Sequence, residues 1–431
     1  MKIVNVIDAP CGYGKTSWAI QYMNSLPKES HQFIYVTPFL DEVQRVKESV
    51  TTRKFYKPET KKGETKLGDL HKLLGQGRDI CTTHALFQMA TSETIELLKA
   101  NRYTLIMDEV LNVIEQIPLK KSDLKLLLEA NAVDIVTREN RLQYIQWNEQ
   151  KIDYNTRYNS IKEVALTNNL MYCDNSALIW NFPCGVFSSF QDVFILTYLF
   201  KGQIQKSYYD LHGIKYRYLS VVKEEYDYEL VPYNMRKKHD KQNLIEKIEI
   251  YEGQLNDVGD LTSALSKSWF INPKKKDLIL KLKNNARNYL MNICKAIGED
   301  VIWTTIKGEK EKIQKQVSPR GYSKAFLAMT ARATNDFRDR YILAYLVNRY
   351  LNPIQKKFFE QYDVKIDEHT WALSELIQWI WRSRIRDDKS IKIYIPSRRM
   401  RELFKSYLED DHFEKAPDNA IVDEPPSDWN L

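Results

Sequence analysis

Apolar residues along this chain fall into two kinds of text. Short unbroken runs predict strands buried on both faces. Longer stretches with apolar residues every three or four positions predict helices. Residues 2–8 hold Ile3, Val4, Val6 and Ile7 in one run, and helical text extends from Thr16 to about Ser25. Residues 33–36 predict the next strand and 41–50 a helix. Residues 103–107 predict a strand running into Asp108 and Glu109, and 194–197 a further strand. The second half repeats the grammar, with a helix from about 277 to 297 and strands at 301–305, 325–330 and 341–347. A helix from Thr370 to about Arg386 and a strand at 391–395 complete it. Strands alternating with helices predict α/β lobes, each a parallel sheet with helices on both faces, here two in tandem.

Boundaries follow from where this grammar breaks. The first lobe is expected over 1–215 and the second over 246–411. The joint at 216–245 is rich in charge and tyrosine and contains Pro232 and Arg236-Lys237-Lys238. Residues 112–185 are too long for a loop inside one sheet, so a helical insertion with its own packing is expected there. Residues 412–431 are acidic, contain Pro425-Pro426 and end in Trp429-Asn430-Leu431; a flexible tail is expected.

Composition narrows the class. A length of 431 residues suits two to three domains, and 43% hydrophobic residues exclude global disorder. No apolar stretch reaches the ~18 residues of a membrane span, and the N-terminal residues lack the pattern of a secretory leader. A membrane partner is therefore not expected. Five cysteines, at 11, 81, 173, 184 and 294, form no C-x-x-C pair, which argues against a disulfide framework and a zinc module. A reducing cytoplasm is the expected compartment. The net charge of +7 allows a nucleic-acid partner without requiring one.

The first strand is followed by Ala9-Pro10-Cys11-Gly12-Tyr13-Gly14-Lys15-Thr16. This is G-x-x-x-x-G-K-[ST] with Ala9 in place of the first Gly, set between a strand and a helix. Backbone N–H groups of Gly12, Tyr13, Gly14, Lys15 and Thr16 are expected to cradle phosphates, Lys15 to reach the β- and γ-phosphates, and Thr16 to bind Mg²⁺. The strand end Asp108-Glu109 supplies a carboxylate for the metal (Asp108) and a base for the attacking water (Glu109). Loop and acid pair together predict an NTPase using ATP and Mg²⁺.

The order of the remaining motifs resembles that of superfamily 2 helicases. Thr37-Pro38, then Cys81-Thr82-Thr83-His84, resemble that family's nucleic-acid-contacting segments of the first lobe. Leu196-Thr197-Tyr198 stands where the family has its S-A-T coupling motif, with Thr197 alone matching. Thr330 to Asp336 resembles motif V, and Gln378-Trp379-Ile380-Trp381-Arg382-Ser383-Arg384-Ile385-Arg386 resembles motif VI, with Trp381 in place of Gly and Ile385 in place of the last Arg. The compact chain is similar to helicases encoded by bacteriophages. The resemblance implies two RecA-like lobes and an ATP-dependent helicase or translocase. Single-stranded or forked nucleic acid would be held by Thr37, Pro38, Thr82, Thr83, His84 and Thr330, with Asp336 near the nucleotide. DNA is expected over RNA, replication proteins as possible partners, and the bacterial host cytoplasm as the compartment. Continuing the helix at ~100° per residue puts Gln378, Arg382 and Arg386 on one face and Arg384 off it. Arg382 and Arg386 are therefore expected to reach the γ-phosphate. Two rivals stand beside this reading: a phosphate-loop packaging or remodelling motor of another class, and a replication initiator that binds nucleic acid without processive unwinding.

Overall fold

The structure is a computed structural model that describes residues 2–60, 63–138, 140–153, 155–173, 177–236, 240–307, 312–329, 336–426 and Trp429. All counts below refer to those residues. The chain opens with strands β1 (Val4–Asp8), β2 (Gln32–Thr37), β3 (Ile80–Thr83) and β4 (Tyr103–Asp108). It then leaves the sheet through β5 (Ile114–Ile117), β6 (Val133–Thr137), β7 (Gln143–Trp147), β8 (Leu170–Cys173) and β9 (Ala177–Asn181). It returns as β10 (Asp192–Thr197), β11 (Tyr216–Lys223) and β12 (Tyr228–Pro232). The second lobe carries β13 (Ile248–Ile250), β14 (Val301–Thr304), β15 (Ile342–Tyr345) and β16 (Ile391–Tyr394).

The first sheet runs β12-β11-β1-β10-β4-β2-β3, parallel except for β12. Its strands are apolar at successive positions because both faces are covered. Val4, Val6, Ile34, Val36, Leu105 and Ile195 feed one core, and Ile7, Phe33, Tyr35, Ile106 and Phe194 the other. The second sheet, β13-β16-β15-β14, is parallel throughout, with Leu343 and Ile393 on one face and Ile342, Trp303 and Tyr394 on the other. The two α/β lobes expected from the alternation are both present.

Four details depart from expectation. The insertion is not helical: it is an antiparallel sheet, β5-β9-β8-β7-β6, with short helices Lys121–Glu129 and Asn159–Leu166 packed on it. Residues assigned to the joint form β11 and β12, so the first lobe's sheet runs on to Pro232 rather than stopping at 215. The expected strand at 325–330 is reduced to a single bridge, Trp303 to Phe326. The tail is also not loose. Ile421 bridges Arg217 of β11, Asp423 pairs with Arg217 at 2.6 Å, and Trp429 is buried edge-on against Phe194 at 4.9 Å. The end of the chain therefore returns from the second lobe and straps itself to the first.

Candidate functional site

Parallel strands β1, β10 and β4 lie side by side, with Asp8 opposite Thr197 and Leu196 opposite Asp108. Their carboxyl ends sit where the connections diverge to opposite sides of the sheet, the place at which open α/β sheets bind ligands. Ala9 N–H donates to the Thr197 carbonyl at 3.1 Å and Glu109 N–H to the Leu196 carbonyl at 2.9 Å, so β10 fixes both motifs from between.

The turn after β1 is left-handed at Gly12 (φ 88°) and Gly14 (φ 91°). A Cβ on Gly14 would fall 2.1 Å from the Tyr228 ring, so this position admits glycine alone. Helix Lys15–Ser25 starts there with no side-chain cap and no acid in its first turn. Its leading N–H groups and positive dipole end are thus left for an anion. Lys15 Nζ folds back onto the carbonyls of Ala9 (2.5 Å) and Pro10 (3.0 Å), and Thr16 follows in the first turn.

Asp108 and Glu109 occupy the opposite wall. Burial pushes the Asp108 carboxyl up to about 7, and the charges of Glu109 and Glu42 add to this, while Lys15 and the Tyr35 hydroxyl oppose it. Among the described residues no group of three or more His, Cys, Asp or Glu side chains is placed to hold a metal ion, so Asp108 is a single carboxylate crowded by Glu109 and Glu42. Glu109 is held at φ 66° and Leu199 at φ 55°, left-handed conformations that cost about 1–3 kcal/mol each.

The second lobe closes the cleft with the helix Glu368–Ile380, the bridging helix, and the turn after it. Gln378 Nε2 reaches Glu109 Oε2 at 3.4 Å. The helix ends at Ile380, where Trp381 caps it and Ser383 is extended, so the continuous helix face expected for Gln378, Arg382 and Arg386 does not exist. The chain coils back as a short 3-10 turn, Arg384–Asp387, and the charges of Arg382 and Arg386 are felt at Cys11, after those of Lys15 and Glu109. Burial and the like charges of Arg338 and Arg382 depress Arg386, while Asp387 and Cys11 oppose this. Arg384 faces elsewhere, stacked on Tyr341 at 4.1 Å and bonded to the Ser390 carbonyl.

The other sequence candidates divide. Thr37 and Thr82 are buried in the sheet, so their hydroxyls are not presented to a nucleic-acid strand. Thr83 and Pro38 are half-buried at strand ends. His84 is drawn to the nucleotide side, with Nε2 2.9 Å from the Asp108 carbonyl. Asp336 is exposed in a turn, and Thr330 lies outside the described residues.

Three groups of contacts carry no motif in sequence. Asp8, buried at the end of β1, accepts the N–H groups of Leu199 (3.0 Å) and Phe200 (2.8 Å). Gly202 packs so tightly on the bridging helix that a Cβ would meet the Thr370 carbonyl carbon at 2.6 Å, and Gln203 Nε2 donates to Ser374 Oγ at 3.0 Å. Buried Glu414, from the tail, accepts the Tyr198 hydroxyl at 2.7 Å and lies 3.3 Å from Lys241. Of these, only the acid at the end of an apolar strand was visible in sequence, and it carried no motif.

Comparison with known proteins gives matches over most of the chain. The YonV C-terminal Rossmann-like domain matches residues 242–408 and the YonV middle domain residues 114–180. The SPbeta prophage-derived uncharacterized protein YonV of Bacillus subtilis (strain 168) is 43% identical over 419 residues, 95% of this chain and 99% of that protein. Among solved structures, S. tokodaii Xpd4 is 12% identical over 96% of this chain and 95% of that one, with a TM-score of 0.49. A DUF1998 helicase, MrfA, bound to DNA and AMPPNP, is 11% identical over 99% of this chain and 50% of that one, with a TM-score of 0.36. Both structural scores fall below 0.5, so the functional reading rests on the chain's own residues.

Proposed function

The chain belongs to the YonV family, and on that premise we propose that it is a nucleic-acid-stimulated, Mg²⁺-dependent ATPase of the helicase or translocase kind. One observation carries the proposal. Gln378 of the second lobe reaches Glu109 of the first at 3.4 Å, and Cys11 of the phosphate loop packs against the second lobe's core. That is a phosphoryl-transfer site divided between two bodies.

In this reading Gly12 to Thr16 hold the triphosphate through backbone N–H groups, and Lys15 leaves the Ala9 and Pro10 carbonyls to meet the β- and γ-phosphates. Asp108 and Thr16 would hold Mg²⁺, which when bound would supply neutralising charge to the phosphate oxygens. Glu109 takes the proton of the attacking water, with Gln378 holding its carboxylate in place. Arg382 and Arg386 meet the charge that spreads over the transferred phosphoryl group, an effect worth about 10³–10⁵ in rate for such arginines. Their interaction is made only when the lobes close, so hydrolysis is tied to lobe movement. The substrate is single-stranded or forked nucleic acid, DNA before RNA. The prophage origin of the relative fits the host cytoplasm as the compartment; a role in phage DNA replication or repair, with replication proteins as partners, is part of the same proposal.

A second reading, a remodelling ATPase or replication initiator without processive unwinding, has one observation in its favour. Thr197, the matching residue of the coupling motif, is fully buried and its hydroxyl has no partner among the described residues. ATP hydrolysis measured with and without single-stranded DNA and RNA, followed by strand displacement on forked duplexes, separates the two. DNA-stimulated hydrolysis with displacement supports the motor, stimulation without displacement the second reading, and no hydrolysis by the wild type removes both.

A further inference from the structure

The second lobe carries a groove of about 1090 Å³ away from the cleft, along the carboxyl edge of its sheet. Ile306 beyond β14, residues 348–353 beyond β15 and the first turn of the bridging helix form its floor, and the 262–268 segment its wall. That wall is fastened by polar contacts: Asn348 Nδ2 and the Tyr350 hydroxyl both donate to the Thr262 carbonyl at 2.7 Å. The volume reaches the upper end of the ~300–1,000 Å³ typical of small-ligand pockets, so the shape suits an extended chain.

The lining alternates cations with aromatic faces. Arg349 lies over Trp371 at 4.7 Å, and Tyr350 is backed at 4.4 Å by Arg399, which stands outside the lining. Lys267 and Lys356 add charge, and Ser263, Ser266 and Ser268 add hydroxyls. The carboxylate in the lining, Glu368, is already engaged by Lys356 at 3.2 Å and by the Leu351 N–H. Arg349 meets Glu375 Oε2 through Nη2 at 3.0 Å and keeps its positive charge at the groove wall beside Trp371. Trp303, Trp379 and Trp381 are core, whereas Trp371 is half-buried and lines the groove.

The bridging helix joins this groove to the cleft. Thr370, Ser374 and Gln378, spaced by four, touch Gly202, Gln203 and Glu109 of the first lobe. The next stripe round, Trp371 and Glu375, faces the groove through Arg349.

Resting on the ATPase reading above, we infer that this groove is where the second lobe grips single-stranded nucleic acid. Bases stack on Trp371, and phosphates meet Ser263, Lys267, Arg349 and Lys356. Cations set against aromatic planes favour this occupant over an acidic peptide, which needs charge but no stacking surface. Occupancy shifts the bridging helix and thereby Gln378 at Glu109.

The test uses the full chain and a fluorescein-labelled single-stranded DNA of mixed sequence, about 20 nucleotides long, followed by anisotropy at several salt concentrations. Trp371→Ala should weaken binding about tenfold, and Trp371→Phe should restore it to within about threefold, since either ring can stack. The double change Lys267→Ala with Lys356→Ala should lower the slope of log K against log salt by about 1.4, the single-strand value for two phosphates. Both lysines are surface residues, so this variant keeps the fold if Trp371→Ala does not. Wild-type affinity and salt slope in all three variants overturn the inference, as does a wild type that binds no oligonucleotide; tight binding of an acidic peptide in that case would identify the other occupant. ATP turnover is measured on the same preparations. Binding that depends on these residues in a protein without turnover upholds the groove and removes the motor reading.

Discussion

Asp8 offers a direct test of how the first lobe is wired. Its carboxylate is buried at the end of β1, where it accepts two N–H groups from the segment that leads to Gly202. Burial raises it from 3.8 to about 6, against the opposing pull of the Phe200 and Leu199 N–H groups, Lys15 and Arg236. The folded state therefore holds the proton more tightly than the unfolded chain. The resulting stability is complete below pH 4 and is lost as pH rises through 6. With 3.8 and 6 as the two values, this contribution is about 1.4 kcal/mol at pH 5 and close to zero at pH 7.5. Asp8→Asn cannot titrate, and it leaves one of the two N–H groups without its acceptor, a cost of about 1–3 kcal/mol at any pH. The melting-temperature gap between wild type and Asp8→Asn should thus be wider at pH 5 than at pH 7.5 by about 3–6 °C, taking about 2–4 °C per kcal/mol for a lobe of this size. Equal gaps would show that Asp8 does not titrate in this window. A gap that widens at pH 7.5 would mean the N–H groups win over burial and the sign argued here is wrong.

Lys15→Ala should reduce ATP hydrolysis more than tenfold while single-strand binding persists; turnover within tenfold of wild type would sink the phosphate-loop assignment. Glu109→Gln should bind ATP and hydrolyse it slowly, and an unchanged single-turnover rate would remove Glu109 as the base. Arg382→Ala and Arg386→Ala should each lower the maximal rate at least tenfold with little change in ATP affinity, and Arg384→Ala should leave it within about threefold, since Arg384 is occupied by Tyr341 and Ser390. The reverse ranking would mean the turn after the bridging helix presents a different arginine. Trp429→Ala should destabilise by about 2–3 kcal/mol, below the ~3–5 kcal/mol of an interior tryptophan because the chain end can fray, and an unchanged melt would show the strap to be idle.

The backbone around Gly12 and Gly14 was readable because local spacing fixes its geometry: a strand, two glycines at positive φ and a helix start within thirteen residues need no tertiary information. The insertion was misread because β6 and β7 carry Asp134, Gln143 and Gln146 among apolar residues, and half-exposed strands blur into amphipathic helix in so short a span. The single helix face expected for Gln378, Arg382 and Arg386 was misread because the helix ends six residues before Arg386, at the Trp381 cap and the extended Ser383; the charges of both arginines are nonetheless felt at Cys11. The contacts of Asp8, Gly202 and Glu414 were invisible because each partner lies in a distant segment and only the folded chain brings them together.

The strap also bears on how the protein is made. Tyr216 donates to Asn419 at 3.1 Å across 203 residues of sequence, and Trp429 completes a core that Trp18 and Phe194 begin. On a ribosome adding about 5–20 residues per second, the first lobe emerges some 10–40 s before the residues that seal it. During that interval the edge of β11 and the apolar surface around Phe194 stay open, so a nascent chain released early carries an unsealed lobe. Translation speed through the second lobe thus sets how long that surface is exposed, and a stall there favours aggregation over folding.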